Sequence, residues 1–149
     1  MKNWIRFPIL ICLFIVMIIY SNKIEAENTE KRDRVLNNDV QFKGYVVDFR
    51  TSNNHAFGLI RLKLTESSVN TFNDSLTTGI YPYRINGDIA EIYTTISDGL
   101  DYNDTISVNS KSHEIEFNET KNHKKFVSEL YVIEDFDNIK FVKKKTEFQ

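Results

Sequence analysis

The sequence predicts an all-β domain, a small barrel (OB-like or barrel-sandwich) of about seven strands, behind an N-terminal transmembrane or signal helix. Three observations predict it. The 17 residues from Trp4 to Tyr20 are apolar almost throughout, with Lys2 and Arg6 at their start. Beyond them, short segments alternate apolar and polar residues with period two, the spacing of a strand buried on one face. Ala, Gly and Pro together number only ten of 149 residues, while β-branched and aromatic side chains abound, a bias towards strands.

The apolar segment comes first. As a helix it is roughly 26 Å long at ~1.5 Å per residue, enough to reach across a bilayer core. Trp4 and Tyr20 bracket it as interfacial aromatics do. Ile24-Glu25-Ala26 is a poor cleavage site, since only its last residue is small. The reading favoured is an uncleaved single-pass anchor, with the membrane engaged through Trp4 to Tyr20 and the C-terminal domain outside the cytoplasm. The alternative is a cleaved signal peptide that leaves a secreted or periplasmic domain. Basic residues flank the run on both sides, so orientation follows from its position as a first segment with a very short tail. Cys12, behind bulky Ile11, reads as lipid-facing rather than lipid-modified.

This divides the chain into residues 1–26, the apolar segment; 27–40, a polar linker; and 41–145, the all-β domain. After Ala26 there are 16 Lys and Arg against 20 Asp and Glu, a net charge of −4 that argues against nucleic acid as a partner. The same part holds no cysteine, hence no disulfide framework, thiol nucleophile or zinc–thiolate site. Sequons occur at Asn73, Asn103 and Asn118, matching the abundance of Asn in the chain.

The elements follow in order. Residues 41–49 offer Tyr45, Val47 and Phe49 to one face, with Asp48 opposite. Residues 51–55, Thr-Ser-Asn-Asn-His, are a turn cluster. In 57–64, Ile60, Leu62 and Leu64 point inward and Arg61 and Lys63 outward, giving an antiparallel hairpin with the preceding strand. Val69, Phe72 and Leu76 fall at helical spacing, so 67–76 is read as a short helix or a long loop. Pro82 places 81–85 at an edge or a bend. Asn86-Gly87 is the strongest tight-turn signal, expected as type I′, and 89–96 returns from it. Two short strands, 105–108 and 113–117, carry Ile115 and Phe117 inward and Glu114 and Glu116 outward. Residues 126–133 and 139–143 close the series around a turn at 134–138. This spacing of strands belongs to a barrel or sandwich.

No catalytic constellation is legible. There is no Gly-x-Ser-x-Gly elbow, and no histidine pair stands at chelating spacing on one strand face, so neither a catalytic residue, a metal ligand nor a cofactor is assigned. His113, beside Ile115, reads as a core or rim histidine and His123 as a surface turn. The binding candidates are Asn54 and His55, which close the first hairpin turn, and Asp101 and Asp104 in the acidic segment 98–104. That segment could gather carboxylates for Ca²⁺, but its spacing is not that of an EF-hand loop, and an acidic turn is the preferred reading. His55 is expected to hold the turn through side-chain hydrogen bonds to nearby backbone.

Phe42-Lys43-Gly44-Tyr45-Val46-Val47, then Asn54-His55, then Asn103-Asp104-Thr105-Ile106-Ser107 resembles a group of small uncharacterised exported bacterial proteins. Their pattern is a strand with Gly followed by Val, an Asn-His pair and a later Gly-Asp-Ser-Ile turn, here spanning about residues 42–131. This chain has Asn103 in place of the Gly, and Val108 where Lys is common. The resemblance implies an exported β domain and brings no activity with it. The expected function is therefore a membrane-tethered, exported, non-catalytic β domain with a binding or accessory role, towards a protein or glycan partner in the envelope. The alternatives are a cell-envelope hydrolase acting on wall or glycan material, and a secreted structural or adhesive protein. Oligomeric state is left open.

Overall fold

A computed structural model describes residues 6–148; Lys2 and Trp4 lie outside the described residues. The chain forms two compact units that meet between Arg34 and Val35. Helix α1 spans Arg6–Leu36, and its residues as far as Arg34 belong to the first. Its stretch Ile9–Glu27 has a mean hydropathy of 1.9 and none of it is buried. Those 19 residues span roughly 28 Å as a helix, so the chain carries an N-terminal helix long and apolar enough to cross a bilayer. The polar residues that follow are helical as far as Leu36, with an exposed Arg34–Glu30 pair at 2.8 Å across one turn.

The second unit is built on eight strands: β1 (Gln41–Thr51), β2 (Phe57–Ser67), β3 (Thr71–Phe72), β4 (Tyr83–Asn86), β5 (Ile89–Thr95), β6 (Thr105–Asn109), β7 (Glu114–Glu119) and β8 (Lys124–Glu129), followed by helix α2 (Phe136–Lys145). All pairings are antiparallel, in one sheet of order β3-β4-β5-β2-β1-β6-β7-β8. The all-β expectation holds. Neither the two sheets of a sandwich nor the continuous ladder of a closed barrel is seen, because the sheet order ends at β3 and β8. The segments just before β4 and just after β8 are nevertheless stitched by reciprocal hydrogen bonds between Ile80 and Ile133, at 2.9 and 3.0 Å.

The inner face gathers one core from every strand. Phe42, Val46, Ile60, Leu62, Tyr83, Ile85, Ile92, Ile106, Val108, Ile115 and Phe117 are buried together, and Phe72 of β3 and Phe126 of β8 pack on the same cluster. Both edge strands therefore reach one core, which requires the sheet to curl. Leu36 and Val40, ahead of β1, are buried in it too. Tyr83 donates to Asn38 Oδ1 at 2.8 Å, and burial pushes its hydroxyl up to about 12.

Four local expectations are corrected. On β1 the inward set is Phe42, Gly44 and Val46, while Tyr45 and Val47 face solvent. The bulge at Val46/Asp48 leaves Val47 without a cross-strand partner and flips the alternation, so that Phe49 turns back towards the core, whereas a first bulge at Lys43/Gly44 puts its extra residue, Thr65, on β2. Gly44 sits at the first bulge with its α-carbon against Lys63; a Cβ there would stand 2.5 Å from the Lys63 carbonyl oxygen. Residues 67–76 form no helix; they run as the end of β2, a bend and the two-residue β3. The β4–β5 turn is displaced by one residue: Asn86 pairs with Ile89, so the loop is Gly87-Asp88, and Gly87 alone has positive φ (62°), as type II′ rather than I′ requires. Residues 139–143, expected as a strand, lie in α2. Asp135 caps that helix by accepting from the Asn138 N–H at 2.9 Å, and Lys143, Lys144 and Lys145 occupy its last turn, where they oppose the helix dipole.

Candidate functional site: the outer face of the sheet

The outer face falls into a covered half and a bare half. Over β2 and β5, Phe57, Leu59 and Tyr93 are buried with Ile133 and Val142, and Phe141 of α2 meets Phe57 edge-on at 6.3 Å. Beside them the register lines up Asp48, Arg61, Glu91 and Arg84 across β1, β2, β5 and β4, an alternating row of charge. Glu91 has no exposed surface, and donors fill both its oxygens. Arg61 and the Glu147 N–H reach Oε1 at 3.1 Å each; the Tyr93 and Thr146 hydroxyls reach Oε2 at 3.0 and 2.5 Å. Arg61 also pairs with Glu147 at 2.8 Å, and Arg84 donates to the Phe148 carbonyl at 3.0 Å. Burial and the Glu91 carboxylate push the Tyr93 hydroxyl far up, so it stays a donor. The row fastens the chain beyond α2 to the sheet. It is structural: Arg61 lies on the outer face, as its alternation predicts, and is tied there to Glu91 and Glu147.

Over β1, β6, β7 and β8 no helix of the second unit is packed. Cross-strand rows run Gln41–Asn109–Glu114–Glu129, then Lys43–Ser107–Glu116–Val127, then Tyr45–Thr105–Asn118–Lys125. Where β1, β6 and β7 meet the end of β2, these side chains border an open groove of about 520 Å³, carrying Lys43, Glu66, Ser107, Asn109, Glu114 and Glu116. Lys125 pairs with Glu116 at 2.9 Å at its border. The lining offers carboxylate and amide acceptors, serine hydroxyls and one ammonium group. It can hydrogen-bond a hydroxyl-rich ligand or neutralise a cationic one. It contains no histidine and no cysteine, and no group of three or more His, Cys, Asp or Glu able to hold a metal occurs among the described residues.

The residues singled out from sequence lie elsewhere and are engaged separately. The Asn54 side chain donates to Asp135 Oδ1 at 3.2 Å and to Asn138 Oδ1 at 3.0 Å, so it joins the β1–β2 turn to the start of α2. His55 is exposed, and its contribution to the turn is its left-handed backbone (φ 48°); the hydrogen bonds there come from Ser52, Asn54 and Phe57. Asp104 is buried, accepting from the Thr120 N–H and the Asp101 N–H at 2.8 Å each, which ties the loop before β6 to the β7–β8 turn. Asp101 lies at the surface beside Lys121, at 3.5 Å. All three histidines of the chain sit in left-handed turn positions: His55, His113 (φ 55°) and His123 (φ 50°). The groove residues escaped sequence reasoning as a set. Their outward placement is readable strand by strand on β6 and β7, but the rows exist only once β1 is paired with β6.

Comparison with family models, with characterised proteins and with solved structures finds no match to this chain.

Proposed function

We propose that the chain is a membrane-tethered, exported, non-catalytic β domain that binds a hydroxyl-rich envelope ligand, such as a wall glycan, in the groove across β1, β2, β6 and β7. One observation carries the reading: α2 and the residues after it seal the outer face of β2 and β5, while the rest of the same face stays bare and polar. The N-terminal apolar helix supplies the tether, and the resemblance to exported β-domain proteins points to the same compartment. The test is retention of the detergent-solubilised full chain on immobilised cell-wall glycan. Ser107→Arg, which fills the groove from a half-buried position on the outer face, is expected to weaken retention about tenfold, equivalent to ~1.4 kcal/mol, with an unchanged melting midpoint. Equal retention of Ser107→Arg and wild type overturns the groove assignment. Glu66, Glu114 and Glu116 share the groove, which keeps the hydrolase reading in play; release of new reducing ends in the same incubation, lost in Glu116→Gln, would replace binding with catalysis.

A further inference from the structure

The second unit is acidic, yet its cations are gathered unevenly. Helix α2 holds four lysines and one acid, Asp137, in ten residues. Ile139 and Phe141 are half-buried and Val142 is buried against the sheet, so the opposite side of the helix faces out. At 100° per residue that side carries Phe136, Lys140, Lys143 and Lys144, together with the exposed Asp137. Phe136 is 75% exposed, more than any other large apolar side chain of the described residues. None of these three lysines forms an ion pair among the described residues, whereas Lys63, Lys111, Lys121 and Lys125 of the same unit are each paired with a carboxylate.

We propose that the outward face of α2 docks on the anionic headgroups of a lipid bilayer, with Phe136 entering the interface. Three unpaired ammonium groups, one to two turns along the same face from an exposed ring and outnumbering Asp137, form an anion-seeking surface with an apolar point. That is the pattern of an interfacial helix, although here the buried face of the helix belongs to the protein. The occupant is set by charge and by continuity. A lysine near an anionic surface contributes about 1 kcal/mol, and the same chain carries a helix able to hold it at a bilayer, so docking needs no high affinity of its own. The inference rests on the tethered reading above.

The experiment uses the full chain with Cys12→Ser, since Cys12 is the single cysteine. Phe136→Cys then carries an environment-sensitive fluorophore, and the protein is assembled in nanodiscs of phosphatidylcholine with or without phosphatidylglycerol. Co-elution with neutral discs reads the tether; the change in emission between neutral and anionic discs reads α2. Each can therefore fail alone, because a chain that does not co-elute still reports contact when anionic discs are added. The expected result is a blue shift in anionic discs only, reversed by 1 M salt, where screening shortens to about 3 Å. Lys140→Gln, Lys143→Gln and Lys144→Gln together should lower the docked-to-free ratio on the order of a hundredfold. Free inorganic phosphate at millimolar concentration should leave the shift in place; its abolition would identify a small-anion site and overturn the bilayer assignment. Identical emission in neutral and anionic discs, or a shift that survives the triple substitution, would overturn it as well.

Discussion

Arg61–Glu91 and Lys125–Glu116 are cross-strand ion pairs on the outer face of one sheet, with bond lengths of 3.1 and 2.9 Å. They differ in everything else. Glu91 is wholly buried and takes four donors, while Glu116 and Lys125 keep 40% and 64% of their side-chain surface in water. What separates them is the lid. Where α2 lies across β2 and β5, outer-face positions are occupied by Phe57, Leu59 and Tyr93 and any charge must be fully partnered. Where no helix lies, the same face carries Ser107, Asn109, Glu114 and Glu116, all of them half-buried or exposed. One sheet thus has a side of its outer face built for cohesion and a side left for contact.

The largest expected effect sets a covered position against a bare one. Leu59→Asp puts a carboxylate under α2 at a site with no exposed surface and should lower stability by more than about 4 kcal/mol in urea melts. Val127→Asp, on the bare half and 56% exposed, should change it by less than about 0.5 kcal/mol. Comparable losses would mean that the bare half is covered in solution. Next come the two ion pairs. Glu91→Ala removes the shared acceptor of Arg61, the Glu147 N–H and the Tyr93 and Thr146 hydroxyls and should cost about 3–5 kcal/mol. Lys125→Ala should cost about 0–1 kcal/mol. If Glu91→Ala melts like wild type, the row across β1, β2, β5 and β4 does not hold the fold together.

A smaller effect compares acids on opposite faces of β7. Glu119 is buried, accepting from the Ser97 hydroxyl at 2.6 Å and the Asn122 amide at 3.1 Å, and the Ser97 bond holds its carboxyl below the usual value. A depressed folded pKa stabilises the protein above the unfolded value, about 4.5, and that contribution is lost as pH falls through the lower folded value. Glu119→Gln should therefore be less stable than wild type at neutral pH, with a gap that narrows below about pH 4.5. A gap independent of pH would show that the loss is one of packing.

Much of the inner face was legible from sequence because it depends on local alternation. Ile60 and Leu62 on β2 and Ile115 and Phe117 on β7 lie where a period of two puts them. The pattern failed on β1, where the bulge at Val46/Asp48 flips the parity between Val46 and Phe49 and leaves no composition signal. It failed at α2, whose Asp135 cap and terminal lysines were present but whose apolar residues were too few to outweigh a strand reading. The groove was the least legible. Lys43, Ser107 and Glu116 become neighbours only through the β1–β6 and β6–β7 registers, and register between distant strands is not written in either strand alone.

β1 is the first strand of the chain and stands at the centre of the sheet, between β2 and β6. A nascent polypeptide leaving the ribosome N-terminus first can pair β1 with β2 as soon as the hairpin is out. The opposite edge of β1, Gln41 to Tyr45, has no partner until Thr105–Asn109 has been synthesised. Through that interval the half-made sheet presents an unpaired edge, open to a chaperone or to cross-pairing with a second nascent copy. Such late, non-local closure also slows folding, so the centre of the sheet is among the last parts of it to lock.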